Sequence, residues 1–403
     1  MEWKEVRLGD VCSKITDGSH YSPQAQAEGY PMLSVKDMRE YDFDFSNCKK
    51  ISDEDYKKME KDGCVPQIGD VLVAKDGSYL KEIFVCNEQR EIAILSSIAI
   101  FRPNPQLIDS RFLCYCLKSP RVYNYISLNC VSGSALPRII LKDFKGVEIQ
   151  APSLSDQRRI ASLLSSLDRK IELNNKINAD LEEMAQAVFK NWFVDFEPFK
   201  DGKFVNSELG MIPEGWKVGY LGDITSNKSA KVKERTDVKV LSPVTTGELV
   251  LSEEYFSKQV FSSSIAKYKI VNIGDFAYNP ARVNIGSLGR NEFEFDGCVS
   301  PVYVVFSVID GYENYFDLFR KTDFFKDKVA SLAIGGVRQS LSYDDLSSIE
   351  TIIPNINIVE KFNNLYNQMK KTIKANKQES SRLTLLRDTL LPRLMSGELE
   401  VPE

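Results

Sequence analysis

The amino-acid sequence predicts an α+β protein: two similar mixed α/β domains joined by a long antiparallel two-helix coiled coil, with pseudo-twofold symmetry. The first observation is a repeat within the 403 residues, in which segment 335–397 restates the pattern of segment 133–195 at an offset of 202 residues. The second is a heptad spacing of apolar residues in the helix of each segment. The third is that the chain restarts at Trp216 much as it begins at Trp3. A repeat of this length indicates two lobes rather than a solenoid.

The first domain is predicted to span residues 1–150. Strand-like apolar runs, helical stretches and Asp-Gly turns alternate along it, which is typical of a mixed α/β domain. The runs at 70–74 and 93–95 predict strands, and 111–117 predicts a helix. A last strand is expected at 147–150, just before the first helical region.

The first helical region is predicted at 151–198. Ser153 and Asp156 have the spacing of a helix start, and the helix is expected to end near Phe193. A helix of that length would be about 57 Å long at 1.5 Å per residue. Its seam contains residues in steps of four and three: Ile160, Leu164, Leu167, Ile171, Asn174, Asn178, Leu181, Ala185, Val188 and Trp192.

The second half of the chain repeats this plan, with a connector and second domain at 199–350 and a second helical region at 351–403. The Ile-Gly-Asp sequence at 273–275 echoes the one at 68–70, while the segments between such anchors differ. A repeated frame with divergent loops fits one scaffold that recognises two different targets. The second long helix is expected at about 357–396, and Pro392 is expected to kink or fray its last turn.

A polar position interrupts both heptad seams. Asn174 and Asn376 occupy equivalent places in the two helices. Because a polar residue in an apolar seam fixes the alignment of paired helices, these two asparagines are predicted to form a layer that sets the helix register.

The composition limits the class of protein. The sequence has no run of eighteen apolar residues and no basic-then-apolar leader, so a cytoplasmic protein without a membrane partner is expected. A single histidine and the lack of a Cys-x-x-Cys pair argue against a metal site, and the eight cysteines are expected to be reduced. The net charge of −5 argues weakly against DNA as a ligand, so DNA contacts would need local basic patches and help from partners.

Catalytic motifs are missing from the sequence. It has no Walker-type phosphate loop and no Gly-rich dinucleotide loop. The Tyr-Asn-Pro-Ala sequence at 278–281 approaches the motif of adenine-N6 methyltransferases, but alanine replaces the second proline and no aromatic residue follows. We therefore expect a non-catalytic chain.

The chain resembles the specificity subunits of Type I restriction–modification systems. The similarity lies in Pro152, in Asp-Gln-Arg-Arg-Ile at 156–160 and in Leu-Asp-Arg-Lys-Ile at 167–171. It continues through Trp-Phe-Val-Asp-Phe-Glu-Pro at 192–198, Pro-Glu-Gly-Trp at 213–216 and the C-terminal Leu-Leu-Pro-Arg-Leu-Met-Ser-Gly-Glu-Leu. The second helix departs from the pattern, because Asn357 to Glu360 stand where the first helix has its Asp-Gln pair.

The resemblance implies two target recognition domains, 1–150 and within 199–350, each of which binds one half of an asymmetric bipartite site in double-stranded DNA. It also implies that the helix pair sets the unread spacer, which a 57 Å rod would limit to roughly 17 base pairs. Two methyltransferase subunits with S-adenosylmethionine would methylate adenine, and a restriction endonuclease/translocase subunit with ATP and Mg²⁺ would cleave DNA in host defence. No cofactor is expected in this chain.

Polar and basic residues in the divergent loops are the candidates for DNA contact, because Arg pairs with guanine, and Asn or Gln with adenine. In the first domain they are Ser19, His20, Lys36, Lys75, Ser78, Tyr79, Lys81, Ser134 and Arg138. In the second they are Thr245, Thr246, Asn279, Arg282, Asn284, Arg290, Arg338 and Gln339. The alternative for each is a solvated loop residue or a turn cap.

Other residues have structural and partner roles. Trp192 and Phe193 are predicted to close the end of the helix pair and are candidates for binding a methyltransferase subunit. The lysines at 370, 371, 374 and 377 form a basic face that is either solvated or near phosphate. Two other classes remain open at this point: a fused methylase–nuclease for bipartite sites, and a coiled-coil scaffold that does not bind DNA.

Overall fold

A computed structural model describes residues 2–77, 79–133, 137–332 and 340–402. The chain divides into two compact units. The first unit combines Met1–Ile177 with Ala375–Glu403, and the second is Asn178–Lys374. Each unit therefore contains one mixed α/β domain and parts of both long helices. The predicted domain boundaries differ from this partition in assigning the helices to regions of their own, and they stay a prediction.

The domain of the first unit begins and ends with paired strands. Its strands are β1 (Lys4–Arg7), β2 (Cys12–Asp17), β3 (Tyr30–Leu33), β4 (Lys49–Ile51), β5 (Val71–Ala74), β6 (Ile83–Val85), β7 (Ala93–Ile94), β8 (Ile98–Pro103), β9 (Val131–Ser132), β10 (Arg138–Ile139) and β11 (Glu148–Ala151). Its helices are α1 (Leu8–Val11), α2 (Asp53–Lys61), α3 (Ser110–Lys118), α4 (Pro120–Asn129) and α5 (Leu141–Lys145), followed by the long helix α6 (Leu154–Phe193).

Two sheets organise this domain. One has the order β2-β8-β5-β6 and the other β4-β3-β7, while β1 pairs with β11 and β9 with β10. All four residues of β5 are buried, since Val71 and Val73 join the core beneath the helices, whereas Leu72 and Ala74 join a second core on the other face. A strand covered on both faces reads as a continuous apolar run, which explains why this segment was predictable.

The described part of the second unit begins with the end of α6 and continues with twelve strands, four shorter α-helices and the first part of α11. The strands are β12 (Phe204–Ser207), β13 (Gly210–Pro213), β14 (Lys217–Tyr220), β15 (Thr225–Lys228), β16 (Lys239–Pro243), β17 (Leu249–Leu251), β18 (Lys269–Val271), β19 (Phe276–Tyr278), β20 (Leu288–Arg290), β21 (Gly297–Val299), β22 (Val304–Val308) and β23 (Glu350–Ile353). The helices are α7 (Ser252–Tyr255), α8 (Glu313–Phe319), α9 (Asp323–Leu332), α10 (Tyr343–Ser347) and α11 (Ile356–Met395).

The two domains share one topology. The sheet β15-β22-β19-β20 has the strand order of β2-β8-β5-β6, and β14 pairs with β23 as β1 pairs with β11. The second sheets also correspond, because β3 runs parallel to β7 and β16 runs parallel to β21. The second domain adds β18, and the hairpin β12–β13 precedes it. The prediction of two similar mixed α/β domains is therefore confirmed.

The long helices α6 and α11 contain 40 residues each. In the first unit they run antiparallel: Ile160 and Leu164 of α6 share a core with Leu391 and Leu394 of α11, whereas Asn174 contacts Ser380. In the second unit Phe189 of α6 lies against Phe362 of α11, with 5.9 Å between ring centroids.

Pro392 lies inside α11 and does not fray its last turn, which corrects that part of the prediction. The helix continues to Met395, and the Ser396 amide donates to the Pro392 carbonyl. Leu391 and Leu394 are buried on either side of the proline, and their packing holds the turn helical despite the missing amide donor.

The eight cysteines, all within the described residues, form no disulfide, and six of them are buried. Burial and the nearby Asp70 carboxylate raise the pKa of the Cys12 thiol to about 12, which is typical of an unreactive core thiol. No helix in the described part of the chain is long and apolar enough to span a membrane.

Candidate nucleic-acid interface

In the first unit, several candidate loops meet at one edge of the sheet β2-β8-β5-β6. Ala74 at the end of β5 pairs with Ile98 at the start of β8. The chain then passes Lys75, whose carbonyl accepts from the Ile139 amide at 2.9 Å. The backbone of the next residue, Asp76, forms an isolated antiparallel β-bridge with the backbone of Arg138. The loop after β5 and the exposed Arg138 on β10 therefore lie side by side.

Lys75 is a buried, ion-paired residue at this edge of the sheet rather than a surface cation. Its side chain is only 8% exposed, and its Nζ lies 3.0 Å from Asp17 Oδ2 at the end of β2. His20 is exposed, and its Nε2 lies 3.4 Å from the same carboxylate oxygen. Because the Lys75 ammonium is buried against Asp17, the predicted contact between Lys75 and DNA is not supported by this geometry. Asp17 and Lys75 position the turn that presents His20.

A turn formed by Ser96 and Ser97 joins the remaining parts of the edge. The Ser96 amide donates to the Ser19 carbonyl at 2.9 Å. The Ser97 hydroxyl accepts from the Val35 amide at 3.1 Å, which fixes the 3-10 helix Val35–Asp37 with its exposed Lys36. This turn was not predicted, although the two serines that interrupt the apolar stretch 92–101 are a usable sequence signal for it.

The other candidates of the first domain differ in exposure. Tyr79 is half-buried against the helical core, and Lys81 is exposed beside Glu82. Ser19 is held in its own turn, since its hydroxyl accepts from the Tyr21 amide. Ser78 and Ser134 lie outside the described residues.

In the second unit, the equivalent edge carries a loop at 279–287 that is fixed by internal hydrogen bonds. Asn279 Oδ1 accepts from the Ala281 amide at 3.0 Å, and the Arg282 amide donates to the Asn279 carbonyl. The amide of Ser287 closes the loop on the Arg282 carbonyl at 3.2 Å. Asn279 is therefore a turn-forming residue, whereas Arg282 and Asn284 are exposed on the loop.

The hairpin tip between β16 and β17 packs against this loop. Gly286 has a φ of +93°, and a Cβ there would lie 2.7 Å from the Thr245 carbonyl oxygen. The Ser287 hydroxyl donates to the Pro243 carbonyl at 2.9 Å. Thr245 and Thr246 are exposed, so this edge presents two threonines beside Arg282 and Asn284 as one polar surface.

The loop is also tied to the chain that precedes α10. The Leu341 amide donates to the Pro280 carbonyl at 3.1 Å. Arg338 and Gln339 precede Leu341 and lie outside the described residues, so their predicted role stays a prediction.

Arg290 is not part of this surface. It lies at the opposite end of β20, where it pairs with Phe276, and its Nη1 donates to Asn314 Oδ1 at 3.0 Å. Asn314 in turn donates to Asn363 and Asn367 of α11. The structure therefore places Arg290 in a polar network between β20, α8 and α11, and its predicted DNA contact stays a prediction.

Asn174 is one of the polar side chains in the seam between the two long helices. The buried Asn174 Nδ2 donates to Glu379 Oε2 at 2.8 Å and to Ser380 Oγ at 3.3 Å. Lys170 also contacts Glu379, at 3.1 Å. Asn376 is half-buried one turn away on α11. A polar layer is present at this height of the seam, and its control of helix register stays a prediction.

Trp192 and Phe193 belong to the aromatic core of the second unit. Phe193 is buried and lies 5.2 Å from Phe362 and 5.9 Å from Trp216, measured between ring centroids. Trp192 is half-buried beside Phe199. Both residues close the core, and only Trp192 keeps substantial exposed surface for a partner.

The basic face of α11 is partly neutralised within the second unit. Lys370 forms an ion pair with Glu292, and Lys374 Nζ lies 2.5 Å from Glu294 Oε1. Lys371 and Lys377 are exposed.

The chain thus belongs to the class of proteins with two domains of one topology, each with a different polar loop at the corresponding edge of its sheet. Residues 1–183 match the family described as the Type I restriction modification DNA specificity domain. The chain is 31% identical to the Type I restriction enzyme MjaIX specificity subunit of Methanocaldococcus jannaschii, over 73% of this chain and 70% of the relative. This chain therefore belongs to the family of Type I restriction enzyme specificity subunits.

Other similar proteins extend the match over nearly the whole chain. The Type I restriction enzyme HindI specificity subunit of Haemophilus influenzae is 25% identical over 99% of this chain and 100% of the relative. The fold is similar to a crystal structure of the Type-I restriction-modification system S subunit from M. genitalium, with a TM-score of 0.60 and 16% identity over 98% of this chain and 96% of that one.

Proposed function

We propose that each recognition domain of this specificity subunit binds one half of an asymmetric, bipartite site in double-stranded DNA. The observation that supports this most directly is that the two domains share a strand order but differ in their loop sequences. The sheets β2-β8-β5-β6 and β15-β22-β19-β20 have the same strand order, yet the loops after β5 and β19 have unrelated sequences. Exposed candidates for DNA contact include Lys36 and Arg138 in one domain, and Arg282 and Asn284 in the other.

We further propose that the chain itself is not catalytic and acts with partner subunits. Two methyltransferase subunits that bind S-adenosylmethionine would methylate adenine, and a restriction subunit that uses ATP and Mg²⁺ would cleave DNA. The net charge of −5 supports this division, because a chain without a basic excess needs partners to neutralise much of the phosphate charge. The absence of nucleotide-binding motifs from the sequence agrees with it.

The length of the long helices is proposed to set the number of unread base pairs between the half-sites. An insertion of seven residues after Asn174, with a matching insertion in α11, adds one heptad to each helix. The inserted pair should lengthen the spacer and leave both half-sites unchanged. An unchanged spacer in the methylated motif would exclude this role of the helices.

The function is tested by sequencing methylated adenines in a host that expresses the chain with its modification subunits. The expected result is a bipartite motif, and exchange of residues 1–150 for another recognition domain should alter one half-site only. The purified chain incubated alone with DNA and S-adenosylmethionine should transfer no methyl group. Methyl transfer by the chain alone would identify a fused methylase instead, and an unmethylated genome would contradict the proposal.

A further inference from the structure

The loop at 279–287 contains an apolar side chain that the fold does not use. Val283 and Ile285 lie on the same one-turn 3-10 helix, Val283–Ile285. Val283 is buried in the core of the second unit, whereas Ile285 is 56% exposed. The loop is thus anchored through Val283, and Ile285 stands at its surface.

Contacts within the loop fix the backbone position of Ile285. Its amide donates to the Arg282 carbonyl at 3.1 Å, and the next residue is Gly286, whose backbone is pressed against the Thr245 carbonyl. The Ser287 hydroxyl fixes the far side of the loop on Pro243. Because the backbone that carries Ile285 is already ordered, binding has to order only the side chain, which favours a specific contact.

The neighbours of Ile285 indicate what it contacts. Arg282 and Asn284 are exposed on the same loop, and their side chains are of the types that pair with guanine and adenine in the major groove. The major groove also displays one apolar group, the C5-methyl of thymine, which aliphatic side chains recognise. An isoleucine that follows two residues of base-binding type, Arg282 and Asn284, has the chemistry for that group.

We infer that Ile285 contacts the C5-methyl group of a thymine in the half-site bound by the second domain, and so helps to determine its sequence. This inference rests on the proposed function. It makes the half-site of this domain contain at least one thymine whose methyl group contributes to affinity.

The experiment replaces each thymine of the site by deoxyuridine, which removes only the methyl group. Binding is measured with the full-length chain assembled with its modification subunits. The wild type should lose about fourfold in affinity at one thymine, because burial of one carbon group contributes about 0.8 kcal/mol. Ile285→Ala should bind the thymine site about fourfold more weakly and should no longer distinguish thymine from deoxyuridine at that position, since the contact is absent.

Matched variants make the result specific to Ile285. Ile273 is 60% exposed and precedes β19, whereas the loop at 279–287 follows that strand. Ile273→Ala therefore removes the same type of side chain at the other end of the strand and should leave the deoxyuridine effect intact. Ile285→Val should keep most of the effect. Val302, which is 71% exposed in the segment between β21 and β22, is the competing contact at this edge.

The inference fails if Ile285→Ala keeps the full deoxyuridine effect, if Val302→Ala abolishes it instead, or if this half-site contains no thymine. These outcomes leave site-specific binding itself in place. Absence of any site-specific binding by the wild-type complex would defeat the proposed function and the inference with it.

Discussion

The Tyr115 hydroxyl on α3 donates to the Asp168 carboxylate on α6, with 2.5 Å between the two oxygens. The second unit contains the same kind of contact, but there the tyrosine is on the long helix and the carboxylate is on the domain. Tyr366 on α11 donates to Asp317 on α8 at 3.4 Å. Burial and the neighbouring carboxylate raise the pKa of both tyrosines, so both stay protonated donors at neutral pH. In each unit a tyrosine–carboxylate pair thus ties the recognition domain to a long helix.

Asp168 should be required for the packing of α11 on α6 in the first unit. Arg387 of α11 donates to Asp168 with 2.8 Å between Nη1 and Oδ1, and their side chains are only 15% and 11% exposed. Asp168→Ala would remove the acceptor of the Tyr115 hydroxyl and the least exposed partner of the guanidinium, which keeps only the more exposed Glu40 and Asp388. The free energy of unfolding should therefore fall by about 2 kcal/mol. Urea denaturation of the full-length chain measures this change.

Arg393→Ala is the matched control for the Asp168 variant. Arg393 also lies near the end of α11, but its ion pair with Glu398 is exposed, so its loss should change stability by less than about 1 kcal/mol. Equal effects of the two variants would show that burial of the Asp168 pair contributes nothing special.

Lys36 and Lys75 should separate DNA contact from support of the fold. Lys36→Ala removes an exposed cation, so DNA affinity should fall to a similar extent for all sequences. The slope of log affinity against log salt concentration should become smaller by about 1, and the free energy of unfolding should change by less than about 0.5 kcal/mol. Lys75→Ala leaves the Asp17 carboxylate buried without its cation, so the free energy of unfolding should fall by about 3 kcal/mol. Titration of DNA binding against salt, with parallel denaturation, distinguishes them. A Lys75 variant with wild-type stability and a lower affinity would return Lys75 to the DNA surface.

The elements that could be predicted from the sequence depend on local periodicity. The apolar run of β5 and the heptad seam of α6 are visible in consecutive residues, and the structure has both. The exposure of a loop side chain is different, because it depends on what folds against it. Lys75 and Arg290 have the residue types of DNA-binding groups, yet Asp17 and Asn314 bind them from distant parts of the chain. The residues next to Lys75 and Arg290 in the sequence do not indicate those partners.

Gly286 should be required for the shape of the loop at 279–287. Gly286→Ala places a Cβ about 2.7 Å from the Thr245 carbonyl oxygen at a φ of +93°. Gly210→Ala is the control, because Gly210 has a φ of +96° and an added Cβ there has no neighbour within 4 Å. Both variants should lose about 1 kcal/mol of stability from the positive φ, and Gly286→Ala should lose more because its Cβ meets a backbone oxygen. Only Gly286→Ala should also weaken site-specific DNA binding. Thermal unfolding and DNA titration measure the two effects, and equal DNA affinity of both variants would contradict the assignment of the loop.

Asp317 should make the second unit sensitive to acid. Burial alone would raise the pKa of this carboxyl, but Arg320, Lys321 and Lys370 outweigh it and lower the pKa to about 2. Because the folded pKa lies below the unfolded value of about 3.9, the ionised group stabilises the fold above pH 4, and that contribution is lost as the pH falls from about 4 towards 2. Asp317→Asn should therefore be less stable than the wild type at pH 7, and the difference should shrink below pH 4 in urea denaturation. The exposed Asp323→Asn should give no such convergence, and a gap for Asp317→Asn that stays constant down to pH 3 would show that its charge is not what stabilises the fold.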